Sequence, residues 1–319
     1  MDIYSFDLAG LHPVAAPELA ALRSSNTVIW IDVPVPSEVD LNRLQTEFGF
    51  HPLAMEDARN EHQRPKIEEY EDHVFIITNH AAYEDNRITF HEIDIFLGRN
   101  YIVTIHHHSK EMMDEVRGRM TQKDRFRHFS SEYLLYVLMD TIVDGYFPLL
   151  DRLDTEIEMI SERVLDRAEK QLLVRLFELK RMLNEAWYVV GQERDMFGIL
   201  TLREGDIFTH HDVLEYYLRD VSDHLIRIGD IISVKREDLK NIADLYVSST
   251  SNQLNQVVNR LAIITILIGI LTVISGFYGM NFTHTWPPLD AEWGILFAIA
   301  LMGGLSAGAL IIFKWLKLY

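Results

Sequence analysis

The stretch "LAIITILIGILTVISGFYGM", Leu261 to Met280, decides how the rest of the chain is read. No charged side chain occurs from Leu261 to Pro288. At the α-helical rise, about 20 residues cover a bilayer core of about 30 Å, so 261–280 is predicted to be a transmembrane helix. A second uncharged run, "WGILFAIALMGGLSAGALIIF" at 293–313, predicts a second span. The loop between them, 281–292, carries Asp290 and Glu292 but no Lys or Arg. Arg260 precedes the first span, and Lys314 and Lys317 follow the second in a tail of residues 314–319. The positive-inside rule therefore places both termini in the cytoplasm and the loop outside, in a multi-pass protein of the inner (plasma) membrane.

Outward from the spans the composition changes. The chain has 319 residues, 48% hydrophobic, with 30 Lys and Arg against 48 Asp and Glu and a net charge of −18. Only Arg260, Asp290, Glu292, Lys314 and Lys317 among these lie beyond residue 250, so the acidity belongs to the part before the membrane. An acidic surplus of this kind argues against nucleic acid as a partner, because phosphate binding requires Lys and Arg. It suits cation binding, and solubility equally. The start, "MDIYSFDLAG", has an acidic residue where a signal peptide would be basic, so the large domain is expected not to be exported. With no cysteine, disulfides, thiolate zinc sites and iron–sulfur centres are excluded.

Residues 1–148 read as a cytoplasmic α/β domain with a largely antiparallel sheet. Strand-like runs are "TVIWIDVP" at 27–34, "HVFIITNHAAY" at 73–83 and "ITFHEIDIFLGRNYIVTIHHH" at 88–108, the last with a turn near Gly98 to Asn100. "SEVDLNRLQTEFGF", after the first run, has helical periodicity. From Leu149 to Trp286 there is no proline, and apolar residues recur every three or four positions. A helical hairpin is predicted over 149–204, with breaks at 166–168 and between Gly198 and Gly205. The cytoplasmic part of a stalk helix follows over 205–260. Joined to the first span it makes one helix of about 65 to 70 residues, roughly 100 Å long. So long a helix has an apolar face to bury and few neighbours within the chain, which points to copies of itself.

Alternating steps of three and four along this helix read Ser248, Ser251, Asn255, Val258, Ala262, Thr265, Gly269, Thr272, Gly276 and Gly279. That period keeps them on one face, and all are small or polar. Within the bilayer such a face also serves close helix packing. Its continuation past the membrane to Ser248, beside Asp244, favours a wet lumen lined by one helix from each subunit. Thr265 and Thr272 can satisfy themselves by back-bonding to their own helix, so Asn281 is the stronger sign. A ring of its amide oxygens with Gly279 carbonyls suits a cation that keeps its water, as Mg²⁺ does.

"YGMNF", Tyr278 to Phe282 with Met280 at its centre, closes the first of two C-terminal spans, and in that setting it resembles the Gly-Met-Asn signature of the CorA family of magnesium and cobalt channels. "HPLAMEDARNEHQRPKIEEYEDHVFII" at 51–77, "IFLGRNYIVTIH" at 95–106 and "LYVSSTSNQLNQV" at 245–257 extend the resemblance over most of the chain. It implies a homopentameric funnel whose first spans line a pore for Mg²⁺, with Co²⁺ and Ni²⁺, and whose acidic cytoplasmic part senses intracellular Mg²⁺. By motif, the resemblance assigns Asp57 and Asp220 to an intersubunit regulatory Mg²⁺ site. It assigns Asp244, Asn255, Leu261 and Thr272 to the conduction path, alongside the Ser251 and Thr265 of the stripe. The sequence departs from the family in its external loop, where "THTWPPLD" leaves any acidic role to Asp290 or Glu292. It departs also at Val258 and Gly269, where the family narrows its pore with methionines.

Other motifs carry less. In "HHH" at 106–108 adjacent side chains alternate, so only His106 and His108 would share a ligand, and strand-end polarity is the simpler reading. No phosphate loop, nucleophile elbow or His-Glu-x-x-His occurs, so no enzyme and no organic cofactor is expected. Two alternatives stay open: a Zn²⁺ transporter on the same scaffold, and a membrane-tethered cation sensor that conducts nothing.

Overall fold

The structure, a computed structural model, describes residues 1–7, 10–14, 27–121, 130–201, 211–280 and 293–315. It divides into two compact units, Met1–Ile160 with Val174–Asn241, and Ser161–Leu173 with Ile242–Tyr319.

The first unit contains strands β1 (Asp2–Asp7), β2 (Gly10–Pro13), β3 (Val28–Pro34), β4 (Lys66–Glu69), β5 (Val74–Glu84), β6 (Arg87–Leu97) and β7 (Tyr101–His106). They form one sheet in the order β2-β1-β3-β7-β6-β5-β4. Only the β3–β7 pair is parallel, so the sheet is largely antiparallel as expected. β5 and β6 join through Asp85 (φ 48°) and Asn86 (φ 66°). These are the residue types that tolerate the left-handed region a two-residue hairpin needs.

Helices α1 (Glu38–Phe48) and α2 (Pro52–Asp57) cover one face of the sheet. A reciprocal capping box between Ser37 and Asp40 starts α1, and Gly49 at φ 71° ends it. Leu41, Leu44, Phe48 and Met55 pack with Ile29, Ile31, Val33, Val103 and Ile105 in one core. Alternate residues of β3 and β7 point the other way. There Asp32 accepts from Thr104 at 2.7 Å and from Arg117 at 2.9 Å. Arg117 belongs to α3 (Lys110–Thr121), followed by α4 (Ser131–Asp144). A strand covered on both faces reads as a continuous apolar run, which is why "VIWIDVP" is buried almost throughout.

The hairpin is α5 (Tyr146–Asp166) and α6 (Lys170–Thr201), the second continuing through Gly198, where a break was expected. Gly205 lies outside the described residues. The long helix α7 (His211–Tyr278) has 68 residues, in line with the sequence expectation. In the first unit its buried positions are Leu218, Val221, Leu225, Ile228, Ile232, Lys235 and Leu239, again in steps of three and four. Lys235 is tolerated there because it pairs with Asp154 of α5.

Among the described residues three helical segments are long and apolar enough to cross a membrane. In the first, Ser131–Asp166, 61% of the apolar window is buried inside the fold; in α7 and in α8 (Gly294–Trp315) the shares are 11% and 0%. The first is therefore a core segment of the sheet domain, and the other two are left mostly uncovered among the described residues.

Candidate functional site

Two features of the structure bear on cations. The first is a group of ligand atoms on two helices of the first unit. One atom each from Asp140 and Asp144 of α4 and His224 of α7 lie within 4.8 Å of one another. Their positions follow from helix periodicity: Asp140 and Asp144 are one turn apart, as are Asp220 and His224. Asp220 Oδ1 lies 4.0 Å from His224 Nε2, and Asp144 Oδ1 lies 3.8 Å from His224 Nδ1. One guanidinium, that of Arg119 on α3, faces this acidity. It pairs with Asp140, reaches Asp144 at 3.5 Å and donates to Thr141 Oγ1 at 2.8 Å.

Burial pushes the Asp140 carboxyl above its usual range, Asp144 adds to the rise by repulsion, and Arg119 offsets part of it. Burial likewise raises the Tyr136 hydroxyl, helped by Asp140 and Asp220. Three carboxylates against one guanidinium leave negative charge that a divalent ion would neutralise, and carboxylate oxygens are the donors Mg²⁺ prefers.

Of the two regulatory aspartates expected from sequence, Asp220 stands beside this group with 54% of its side chain exposed. Asp57, the last residue of α2, accepts from Lys66 Nζ at 2.7 Å, and the same Nζ donates to Glu68 at 2.7 Å. Within the chain the two aspartates thus meet different partners. Sequence reading missed Lys66, Arg119, Asp140, Asp144 and His224. The Asp-x-x-x-Asp and Asp-x-x-x-His spacings were visible signals, but nothing in the sequence joined α4 to α7.

The second feature is the face of α7 in the second unit. Over 261–278 the buried residues of the helix are Ile263 and Ile274, with Leu267, Ile270 and Tyr278 partly covered. At 100° per residue these share one side of the helix, and Ala262, Thr265, Gly269, Thr272 and Gly276 lie about 180° to 260° round from Ile263. All five are exposed, as are Asp244, Ser248, Ser251, Asn255, Val258, Leu261, Gly279 and Met280. Thr265 and Thr272 each donate to the carbonyl four residues back, Leu261 and Ile268, at 2.8 Å. Their hydroxyl hydrogens are thereby used, and the oxygens keep acceptor capacity towards the open side. Asn281, Asp290 and Glu292 lie outside the described residues.

The triple histidine agrees with the strand-end reading at His108 and departs from it at His106, which is buried. His106 and His108 do not share a ligand: His106 is buried, its Nε2 3.2 Å from Asp32 Oδ1, while His108 is exposed beyond the end of β7. The parallel β3–β7 pairing, which the sequence did not disclose, draws His106 into the core.

The family model described as "CorA-like Mg2+ transporter protein" matches residues 25–315. The chain is 35% identical over 296 residues to the "Cobalt/magnesium transport protein CorA" of Thermotoga maritima, covering 92% of this chain and 84% of that protein. In fold it is similar to the complete structure of the CorA magnesium transporter from Methanocaldococcus jannaschii, with a TM-score of 0.83 and 21% identity over 98% of this chain and 96% of the other. It is similar also to the full-length CmaX protein, with a TM-score of 0.78 and 16% identity over 99% and 97% of the two chains.

Proposed function

The chain belongs to the family of CorA-like Mg²⁺ transporters, and from that premise we propose that it forms a homopentameric, passive channel for Mg²⁺, with Co²⁺ and Ni²⁺ as further cargo. The observation that carries the proposal is the exposed small and polar face of α7, set opposite the buried face of the same helix. Polar groups in a bilayer are stable only where they meet water or one another. Five copies of this face around an axis give a wet lumen. A ring of Asn281 and Gly279 oxygens at its outer end would hold a hydrated ion through its waters. The membrane potential supplies about 4.6 kcal/mol for a divalent ion at 100 mV, sufficient to drive uptake without a pump. Both termini lie in the cytoplasm of a cell with this protein in its plasma membrane.

Closure follows from intracellular Mg²⁺ at Asp57 and Asp220 of neighbouring subunits, with Asp140, Asp144 and His224 beside Asp220 adding donors. With the ion bound, adjacent acidic faces tolerate each other; without it they repel and the ring loosens. Asp57 joins the site by exchanging Lys66 for the ion, so Lys66 sets how much Mg²⁺ is needed. The test is Mg²⁺ flux into liposomes holding an inward-negative potential and a Mg²⁺-reporting dye. We expect influx in the wild type and none in Asn281→Ala. Influx of Zn²⁺ alone would make the protein a zinc transporter, and silence for every divalent ion in folded protein would make it a sensor.

A further inference from the structure

We infer that the cytoplasmic domain holds a second cation site, for an imidazole-preferring divalent transition ion of the Ni²⁺, Co²⁺ and Zn²⁺ class, in a histidine-lined cavity distinct from the acidic group at Asp140. The cavity, of about 370 Å³, opens at the ends of β6 and β7 and is lined in part by Glu61, His62, His91, His107 and His108. Strand pairing brings the key pair together. The register Ile93↔His106, continued by two residues, sets His91 opposite position 108. The chain bends after His106, and the rings of His91 and His108 have centroids 5.1 Å apart. A metal about 2.0–2.1 Å from an imidazole nitrogen lies about 3.2 Å from the ring centroid. Two imidazoles at a tetrahedral angle on one ion therefore have centroids about 5.2 Å apart, which is the spacing found.

The remaining nitrogens are arranged as metal sites arrange them. His91 Nε2 lies 3.1 Å from Glu84 Oε1, and His107 Nε2 lies 3.0 Å from Glu61 Oε1. A carboxylate only accepts, so in the neutral ring the proton is placed on Nε2 and Nδ1 is the nitrogen left to act as a ligand. A carboxylate behind the imidazole raises ligand basicity and fixes the tautomer. The His91 side chain is only 13% exposed, so its ring is held and not a solvated surface group. His62 on the rim takes a positive φ of 80°, a region in which histidine, like Asn and Asp, is enriched among residues other than Gly. Among the described residues only Asp140, Asp144 and His224 have ligand atoms already gathered within 4.8 Å, so an ion entering the histidine cavity draws its ligands together on binding. The two sites differ in donor type. Imidazole suits Ni²⁺, Co²⁺ and Zn²⁺, whereas Mg²⁺ is taken by oxygen.

Calorimetric titration of tag-free, full-length protein in detergent with Ni²⁺, under saturating Mg²⁺, tests the assignment. The expected result is one Ni²⁺ per chain that Mg²⁺ does not displace. That binding is lost in His91→Ala and in His108→Ala, is weakened about tenfold or more in Glu84→Gln, and is unchanged in Asp220→Ala. His108 is exposed, so its replacement leaves the fold intact and keeps the test decisive. Ni²⁺ displaced by Mg²⁺, or bound equally well by His108→Ala, overturns the inference.

Discussion

At the scale of single residues, Glu193 of α6 shows how burial is made tolerable in the sheet domain. It is 1% exposed and accepts from Thr78 Oγ1 at 3.1 Å, the Asn79 N–H at 3.0 Å and the Tyr146 hydroxyl at 3.1 Å. Burial still outweighs these donors and pushes its carboxyl up to about 7. The folded state thus binds a proton that the unfolded chain releases near pH 4.3. This group's contribution is fully present below about pH 4 and is lost as pH rises through 7, a swing of about 4 kcal/mol. Glu193→Gln should flatten the dependence of thermal stability on pH between about 5 and 8, and an unaltered slope would show that the proton is held elsewhere. Arg119 acts in the opposite sense. Arg119→Met leaves Asp140 buried without a cation, and about 2–3 kcal/mol of stability should be lost, less than for a fully buried pair because Arg119 keeps 31% of its side chain exposed. Added Mg²⁺ should raise the melting temperature of this variant more than that of the wild type. An equal rise in both would mean that the acidic group does not hold the ion.

At the scale of elements, α7 was the most legible part of the chain and the sheet domain the least. The apolar runs, the absence of proline and the step of three and four fix a long helix with its lipid-length segment, because each signal is local to the helix itself. Strand β1 and the edge strands β2 and β4 were not foreseen, nor were α3 and α4 as separate helices. Short elements of 4 to 14 residues owe their form to partners distant in sequence. The same reason hid half of the candidate cation site. Asp57 and Asp220 were found through motif, whereas Lys66 reaches Asp57 across the loop between α2 and β4, and Asp140 meets His224 only through tertiary packing. The α7 face makes its own prediction. A Cβ added at Gly269 meets nothing within 4 Å, and the same holds at Gly303 of α8. Gly269→Leu should therefore fold normally yet reduce Mg²⁺ flux to background, because the side chain fills the lumen, while Gly303→Leu leaves flux intact. Equal effects of the two substitutions would place the α7 stripe against lipid or another helix.

At the scale of the whole molecule, the acidic surplus lies before the membrane segment, which is nearly uncharged, and α7 runs through both. The proposed feedback uses that division: ions crossing the membrane reach the carboxylates that close the path. Asp220→Ala should weaken inhibition of flux by Mg²⁺ on the cytoplasmic side, and Lys66→Met should strengthen it by freeing Asp57; inhibition unchanged in both would remove these residues from the switch. The claim beneath all of this is that the stripe of α7 faces water, and the chain's lack of cysteine makes it directly measurable. Single cysteines placed in turn from Ala262 to Gly276 would be exposed in liposomes to a membrane-impermeant thiol reagent. The account predicts labelling at positions 262, 265, 269, 272 and 276, slowed by Mg²⁺, and protection at 264, 266, 271 and 273. Uniform protection, or labelling without the step of three and four, would contradict it.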